Sequence, residues 1–175
     1  MRVLVQRVLK SSVEVEGKVV GTSDRGLMLL VGFTEGDSSK EIDWMVDKVI
    51  NLRIFEDEND VMNKSLLDIK GNILSISQFT LYGDASKGRR PSYIKALGGD
   101  KAILLYDEFN NKLREKGIEV GTGIFGADMK YMYCSSDRTF ASLSTLIFAL
   151  VMSYSLMKLS IMNSILAEYL SLSHK

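Results

Sequence analysis

Histidine, cysteine and proline are nearly missing from this sequence, and each shortage removes a class of chemistry. The 175 residues hold His 1, Cys 1 and Pro 1. The histidine, His174, is next to the last residue, so the body of the chain lacks the usual general base. Ser-His and Cys-His catalysis and histidine-ligated metals therefore fall away. Cys134 alone can form neither an intramolecular disulfide nor a multi-thiolate zinc site, and it fits a reducing compartment. Charge imbalance is missing too: Lys+Arg 22 meet Asp+Glu 22. No overall field draws the chain onto nucleic acid or anionic lipid, so any polyanion contact needs a local patch. Met1-Arg2-Val3-Leu4-Val5-Gln6-Arg7 has no long apolar stretch. No secretory leader is expected, and the cytoplasm is the expected compartment.

What is present is globular. Hydrophobic residues make up 46% and charged residues 25%, ordinary values for a folded domain. Val3, Val5 and Val8 fall in a near-alternating pattern ahead of Ser12–Gly21, which predicts two half-buried strands meeting at a turn near Glu16-Gly17. Gly26–Phe33 is a continuous apolar run bounded by glycines, short enough for a strand buried on both faces at the centre of a sheet. Ser38 and Glu41 have capping-box spacing, and Ile42, Met45, Val46, Val49 and Ile50 recur at threes and fours. A helix over about 39–51 is expected to pack on that sheet. Leu52-Arg53-Ile54-Phe55 predicts a further strand, and Glu56-Asp57-Glu58-Asn59-Asp60 a solvated turn; no EF-hand pattern supports a metal site there.

Asn72–Gly83 alternates as a buried strand ending in hydroxyl and amide side chains. Asp100 can cap a second helix with Ala102, Tyr106, Phe109 and Leu113 on one face, ending at Lys116-Gly117. The glycine-rich stretch Gly121–Met129 leads towards Tyr131-Met132-Tyr133. Strands, helix, strands, helix, strand suggest α+β, or a sheet closing into a barrel. From about Ser135 the composition changes: residues 139–157 carry no charge, with serines diluting the apolar run. The reading is a helical tail; its length touches the lower end of a membrane span, but membrane contact is not expected.

Ser77-Gln78-Phe79-Thr80 places donors at a strand end, suited to an ester or carbonyl. With no histidine to activate it, Thr80 positions substrate rather than attacking it. Lys87, Arg89 and Arg90 form a compact positive turn able to hold phosphates. Gly121-x-Gly123-x-x-Gly126 matches dinucleotide spacing, but it comes late and a strand follows, so a tight turn or close substrate approach is the better reading.

Met1–Val8, Asn51–Asp57, Ser77-Gln78-Phe79-Thr80-Leu81-Tyr82, Lys87-Gly88-Arg89-Arg90-Pro91 and Phe125-Gly126-Ala127-Asp128-Met129 together resemble D-aminoacyl-tRNA deacylases, in order and spacing, over about residues 1–130. The resemblance implies an α+β fold with antiparallel and mixed sheets forming a barrel-like core flanked by two helices. It implies a cytoplasmic homodimer that hydrolyses the ester joining a D-amino acid, or glycine on the wrong tRNA, to the terminal ribose. No cofactor or metal is implied. Ser77, Gln78, Phe79 and Thr80 inherit the aminoacyl-adenosine pocket; Phe125, Gly126, Ala127, Met129, Lys87, Arg89 and Arg90 inherit substrate binding. The mechanism expected from that pattern directs water with the tRNA's own ribose hydroxyl, while backbone N–H groups near Gln78 and Phe79 hold the oxyanion.

The family's second motif is a Gly-cis-Pro dipeptide that reaches into the partner's pocket and excludes L side chains; Arg7 is expected to brace it. Its register falls at about residues 137–139, where Asp137-Arg138-Thr139 stands, and the only proline is Pro91. The chain thus divides into a deacylase-like segment, 1–134, and a divergent tail, 135–175. Asp137-Arg138-Thr139-Phe140 can be written GAT AGG ACC TTT, which one base later reads Ile-Gly-Pro, so a frame change is one reading and a replaced C-terminus the other. Without the dipeptide, chiral discrimination, activity or both are expected to suffer. The rival functional readings are a non-catalytic module binding tRNA or other RNA, and a membrane-tethered remnant.

Overall fold

A computed structural model describes residues 1–134 apart from Lys87, together with the backbone strand Leu150–Ser153. Ten strands and two helices follow in chain order: β1 (Arg2–Val8), β2 (Lys10–Val15), β3 (Lys18–Ser23), β4 (Gly26–Gly32), α1 (Ser39–Asn51), β5 (Phe55–Glu56), β6 (Met62–Lys64), β7 (Asn72–Ser77), α2 (Gly99–Glu115), β8 (Val120–Thr122), β9 (Met129–Cys134) and β10 (Leu150–Ser153). The main sheet has the order β10-β1-β4-β7-β8, the second β3-β2-β9, and β5 and β6 form a separate pair. β1 pairs antiparallel with β4, whereas β4 and β7, and β7 and β8, run parallel. The architecture is the expected α+β with mixed and antiparallel sheets.

β4 explains the layering. Every one of its residues is buried. Leu27, Leu29 and Val31 join the helices through Ile42, Met45, Val49 and Phe109. Met28 and Leu30 join Val13, Leu74 and Ile76 on the other face, towards the second sheet. A fully buried aliphatic side chain of this kind contributes about 1.5–3 kcal/mol. A strand covered on both faces gains that from each of its residues in turn, which is why its sequence reads as unbroken apolar rather than alternating. The two sheets meet where β3 approaches β8. A Cβ on Gly21 would lie 2.4 Å from the Thr122 carbonyl oxygen, and one on Gly121 2.3 Å from that of Thr22. Only glycines allow this seam, and it bends the sheets towards a closed, barrel-like form.

The local signals act as expected in several places. Glu16 and Gly17 both take positive φ, 52° and 76°, the geometry of a tight two-residue hairpin turn. Ser38 and Glu41 form the capping box of α1: the Ser38 amide donates to Glu41 Oε2 at 2.9 Å. The cap expected of α2 is corrected: Gly98, not Asp100, is its N-cap, and Asp100 lies in the first turn, while the expected face of Ala102, Tyr106, Phe109 and Leu113 is buried.

Three further expectations are corrected. The strand read at residues 52–55 shrinks to Phe55–Glu56; Leu52 ends α1 in extended geometry, and Phe55 is the first residue to pair with β6. The long strand read from Asn72 to Gly83 stops at Ser77, and Phe79–Tyr82 forms a 3-10 turn instead. Its partner β4 ends at Gly32, so no ladder is left to extend. In the tail, Leu150–Ser153 is a strand antiparallel to β1 rather than helix. β1 otherwise presents a row of unpaired backbone groups, which a strand can satisfy and a helix cannot. The rest of the tail, including residues 137–139 and His174, lies outside the described residues. Among the described residues no helix is long and apolar enough to cross a membrane.

Candidate active site

β7 carries its hydroxyl and amide side chains to a cavity of about 610 Å³. Ser77, Gln78 and Phe79 line one wall, Phe125–Met129 another, and Phe33 and Leu97 lie behind. The Gln78 amide donates to the Val31 carbonyl at 2.7 Å, the last rung between β7 and β4. It is therefore spent, which corrects the expectation that this amide serves an oxyanion. The chain then enters the 3-10 turn, closed by Leu81 N–H to the Gln78 carbonyl and Gly83 N–H to the Thr80 carbonyl, 3.4 and 2.9 Å. A helical turn leaves its first N–H groups without intrahelical acceptors, and here those belong to Phe79 and Thr80. Of these, Phe79 lines the cavity.

The turn is fixed from outside. Arg2 Nη1 donates to the Leu81 carbonyl at 2.7 Å, and the guanidinium lies 4.6 Å from the centre of the Tyr82 ring. Burial, and next the Asp37 carboxylate, push the Tyr82 phenol upward, against the opposing pull of Arg2. Gln78 Nε2 donates to Thr80 Oγ1, so the threonine oxygen accepts on one side and keeps its own proton for a further partner.

Tyr93 packs edge-on against Phe79, ring centres 5.3 Å apart, and joins the cavity lining. It follows a loop pinched at its base by paired backbone bonds between Asp84 and Ser92, 2.9 and 2.8 Å. Asp84 also accepts from the Ser86 amide, and the Ser86 bonds hold its carboxyl below the usual range. Arg89 and Arg90 are exposed on this loop, beside the cavity rather than in its lining, and Lys87 lies outside the described residues.

The other wall is a turn. Ala127 N–H donates to the Ile124 carbonyl at 3.2 Å, and Gly126 takes φ +78°, a conformation L side chains rarely adopt. From α2, Tyr106 reaches both walls. Its hydroxyl donates to the Ser75 carbonyl at 2.8 Å, and its ring lies 5.9 Å from that of Phe125. Burial raises its phenol above the ordinary value.

The structure thus brings Ser77, Gln78, Phe79, Phe125, Gly126, Ala127 and Met129 to one cavity. Thr80 stands at its edge, tied to Gln78. Arg7 is elsewhere: Nη1 donates to the Ile54 carbonyl at 2.7 Å and lies 3.9 Å from Glu56. Sequence reasoning missed Tyr93, Tyr106, Asp128 and Arg2. Asp128 sat inside a quoted motif, so a charge within a glycine turn was its available signal. Among the described residues no group of three His, Cys, Asp or Glu could hold a metal ion.

The model of the family described as D-Tyr-tRNA(Tyr) deacylase matches residues 4–136. The chain belongs to the D-Tyr-tRNA(Tyr) deacylase family. Among relatives of this deacylase family, the D-aminoacyl-tRNA deacylase of Clostridium tetani is 59% identical over 129 residues, covering 74% of this chain and 87% of that protein. That of Clostridium botulinum is 54% identical over 137 residues, 78% of this chain and 91% of that one. The solved structure of a c-Myc DNA unwinding element binding protein superposes with TM-score 0.72 at 36% identity, covering 78% of this chain and 93% of the other. The structure of a probable eukaryotic D-amino acid tRNA deacylase shares the deacylase fold, with TM-score 0.67 at 22% identity over 77% and 94% of the two chains.

Proposed function

We propose that this chain hydrolyses the ester of D-aminoacyl-tRNA, and of glycine on the wrong tRNA, as a cytoplasmic homodimer that proofreads translation. Residues 1–134 are its deacylase domain and 135–175 a divergent tail. The observation that carries the reading is the cavity where β7 gives way to the 3-10 turn, with the Phe79 and Thr80 amides at its edge and no histidine needed. An aminoacyl ester is already activated, so water attacks its carbonyl carbon directly. The oxyanion accepts hydrogen bonds from backbone N–H groups, each worth about 3–4 kcal/mol when removed from comparable sites. As the tetrahedral intermediate collapses, the ester C–O bond breaks and water's proton passes through the neighbouring ribose hydroxyl to the leaving oxygen. Free amino acid and uncharged tRNA result. Ser77, Gln78 and Thr80 orient the acyl-adenosine end; Phe125, Gly126, Ala127 and Met129 enclose it; Lys87, Arg89 and Arg90 meet acceptor-end phosphates.

No Gly-Pro pair occurs in the sequence. This copy therefore lacks the wedge that Arg7 would brace, and it is impaired in activity, in sparing of L substrates, or in both. Deacylation of matched D- and L-tyrosyl-tRNA, by this chain and by one with its end restored to Gly-Pro, tests the reading. Cleavage of the D ester, with L sparing improved by restoration, is expected. No hydrolysis by either protein overturns it.

A further inference from the structure

Three exposed apolar side chains run outward from the cavity wall. Phe79 is 57% exposed, Tyr93 39% and Ile94 90%, the highest value among the described large hydrophobic residues. Phe79 and Tyr93 pack edge-on and line the cavity, whereas Ile94 lies outside that lining, at the tip of a turn. The turn is held from several sides. Ala96 N–H donates to the Tyr93 carbonyl and Leu97 N–H to that of Phe33, both at 2.9 Å. Thr34 Oγ1 donates to the Lys95 carbonyl at 2.6 Å, and Lys95 Nζ lies 3.5 Å from Asp84. One exposed aliphatic residue is ordinary, but here three adjoin, and a fixed turn keeps the outermost in water.

Charge indicates what covers them. Over residues 84–95 the one acid, Asp84, faces Lys87, Arg89, Arg90 and Lys95. Lys95 already holds Asp84, while Arg89 and Arg90 are exposed and have no ion-pair partner among the described residues. Apolar faces beside unengaged guanidiniums fit a nucleobase joined to a phosphate, since every base offers a π-face and every link an anion. Resting on the deacylase reading, we propose that Tyr93 and Ile94 seat the base of the nucleotide preceding the esterified one, and that Arg89 and Arg90 neutralise the phosphates leading to it. Because the turn is already fixed, little ordering entropy opposes binding. The site therefore reads a single-stranded 3′ end two nucleotides long, and stacking lets it accept any base at the second position.

Hydrolysis of D-tyrosyl-adenosine and of the D-tyrosyl ester of the dinucleotide cytidylyl-adenosine by the full chain, Ile94→Ala and Ile94→Tyr tests this. The full chain should favour the dinucleotide ester. Ile94→Ala is expected to lose roughly 5-fold in kcat/KM on it through KM, the lower end of base stacking, and nothing on the adenosine ester. Ile94→Tyr should keep or increase the dinucleotide advantage. A dinucleotide ester without the cytosine base should not respond to Ile94→Ala, which separates base from phosphate. Equal losses on both esters, or no loss on either, overturn the proposal. Binding of the non-hydrolysable 3′-amide analogues by calorimetry separates it from the deacylase reading. If no ester is cleaved, yet Ile94→Ala weakens only the dinucleotide analogue, the base subsite stands and hydrolysis falls. If Ile94→Ala changes binding of neither analogue, the subsite falls on its own. A second copy of the chain is the rival occupant of this turn. Sedimentation that shifts towards monomer in Ile94→Ala, with the dinucleotide preference unchanged, would assign the turn to that copy and overturn the proposal.

Discussion

The hydroxyl of Tyr106 on α2 donates to the carbonyl of Ser75 on β7 at 2.8 Å, and that carbonyl also accepts the Gly123 amide at 3.3 Å. One oxygen thus ties a helix, the strand leading to Ser77 and Gln78, and the turn leading to Phe125. Tyr106→Phe keeps the ring against Phe125 and removes only the hydroxyl bond. Stability in urea should fall by about 0.5–1.5 kcal/mol, since the Gly123 amide still satisfies the carbonyl. Turnover should drop more than KM rises, because the two walls lose their common tether. An unchanged kcat with a normal urea midpoint would show that the bond organises nothing.

Gly121→Ala tests the seam between the sheets. A Cβ there meets the Thr22 carbonyl oxygen at 2.3 Å, an approach that demands backbone movement. A loss of about 1–3 kcal/mol is expected in chemical denaturation, typical of overpacking. The same substitution at Gly17, where a Cβ finds nothing within 4 Å, should cost through its positive φ alone.

Thr80→Ala removes an acceptor that Gln78 holds in place. The Thr80 hydroxyl accepts one side-chain bond among the described residues, from Gln78, so hydrolysis should slow by roughly 2- to 10-fold, the scale of one hydrogen bond. Mass spectrometry of acid-quenched reactions should find no acyl group on Thr80 in the unmodified chain. A trapped acyl-threonine would replace the water-attack mechanism with covalent catalysis.

Arg89→Ala and Arg90→Ala should weaken binding to all tRNAs alike. Each lost phosphate contact lowers the slope of log affinity against log salt by about 0.7–0.9. Filter binding across a salt series reads this directly, and unaltered slopes would free the loop from any phosphate role.

Acid should destabilise the fold through exposed carboxylates. The Ser38 hydroxyl bond holds the Glu41 carboxyl below its ordinary 4.5, and backbone amides do the same for Asp57 and Asp68 below 3.8. Because the folded values are lowered, the unfolded chain binds more protons below about pH 4.5. Their stabilisation is complete above that pH and disappears as pH falls through the folded values. Glu41→Gln should lose its share of that stabilisation at pH 7 and flatten the acid limb of a stability–pH curve measured in urea, so that the two proteins converge at low pH.

Local chemistry made much of this molecule legible before any contact was known. The capping box at Ser38 and Glu41, the hairpin turn at Glu16-Gly17 and the apolar faces of both helices depend on neighbours within a few residues. The strand read to Gly83 failed because where β7 stops depends on where β4 runs out, far away in the chain. For the same reason, Gln78 looked available as a donor until its amide met Val31. Tyr106 resembled any buried helix residue, since its partner Ser75 is on another element.

By itself the sequence determined the chemistry left open to this protein. With one histidine beside the final residue, Ser-His and Cys-His chemistry was not expected, and balanced charge left any phosphate contact to a local patch such as Lys87–Arg90. Tertiary structure alone decided which amides remain available and which carboxylate shares their cavity. Those properties arise from pairing between segments distant in the chain: a β4 carbonyl consumes the Gln78 amide, while a turn some fifty residues later brings Asp128 into the cavity that Phe79 also lines.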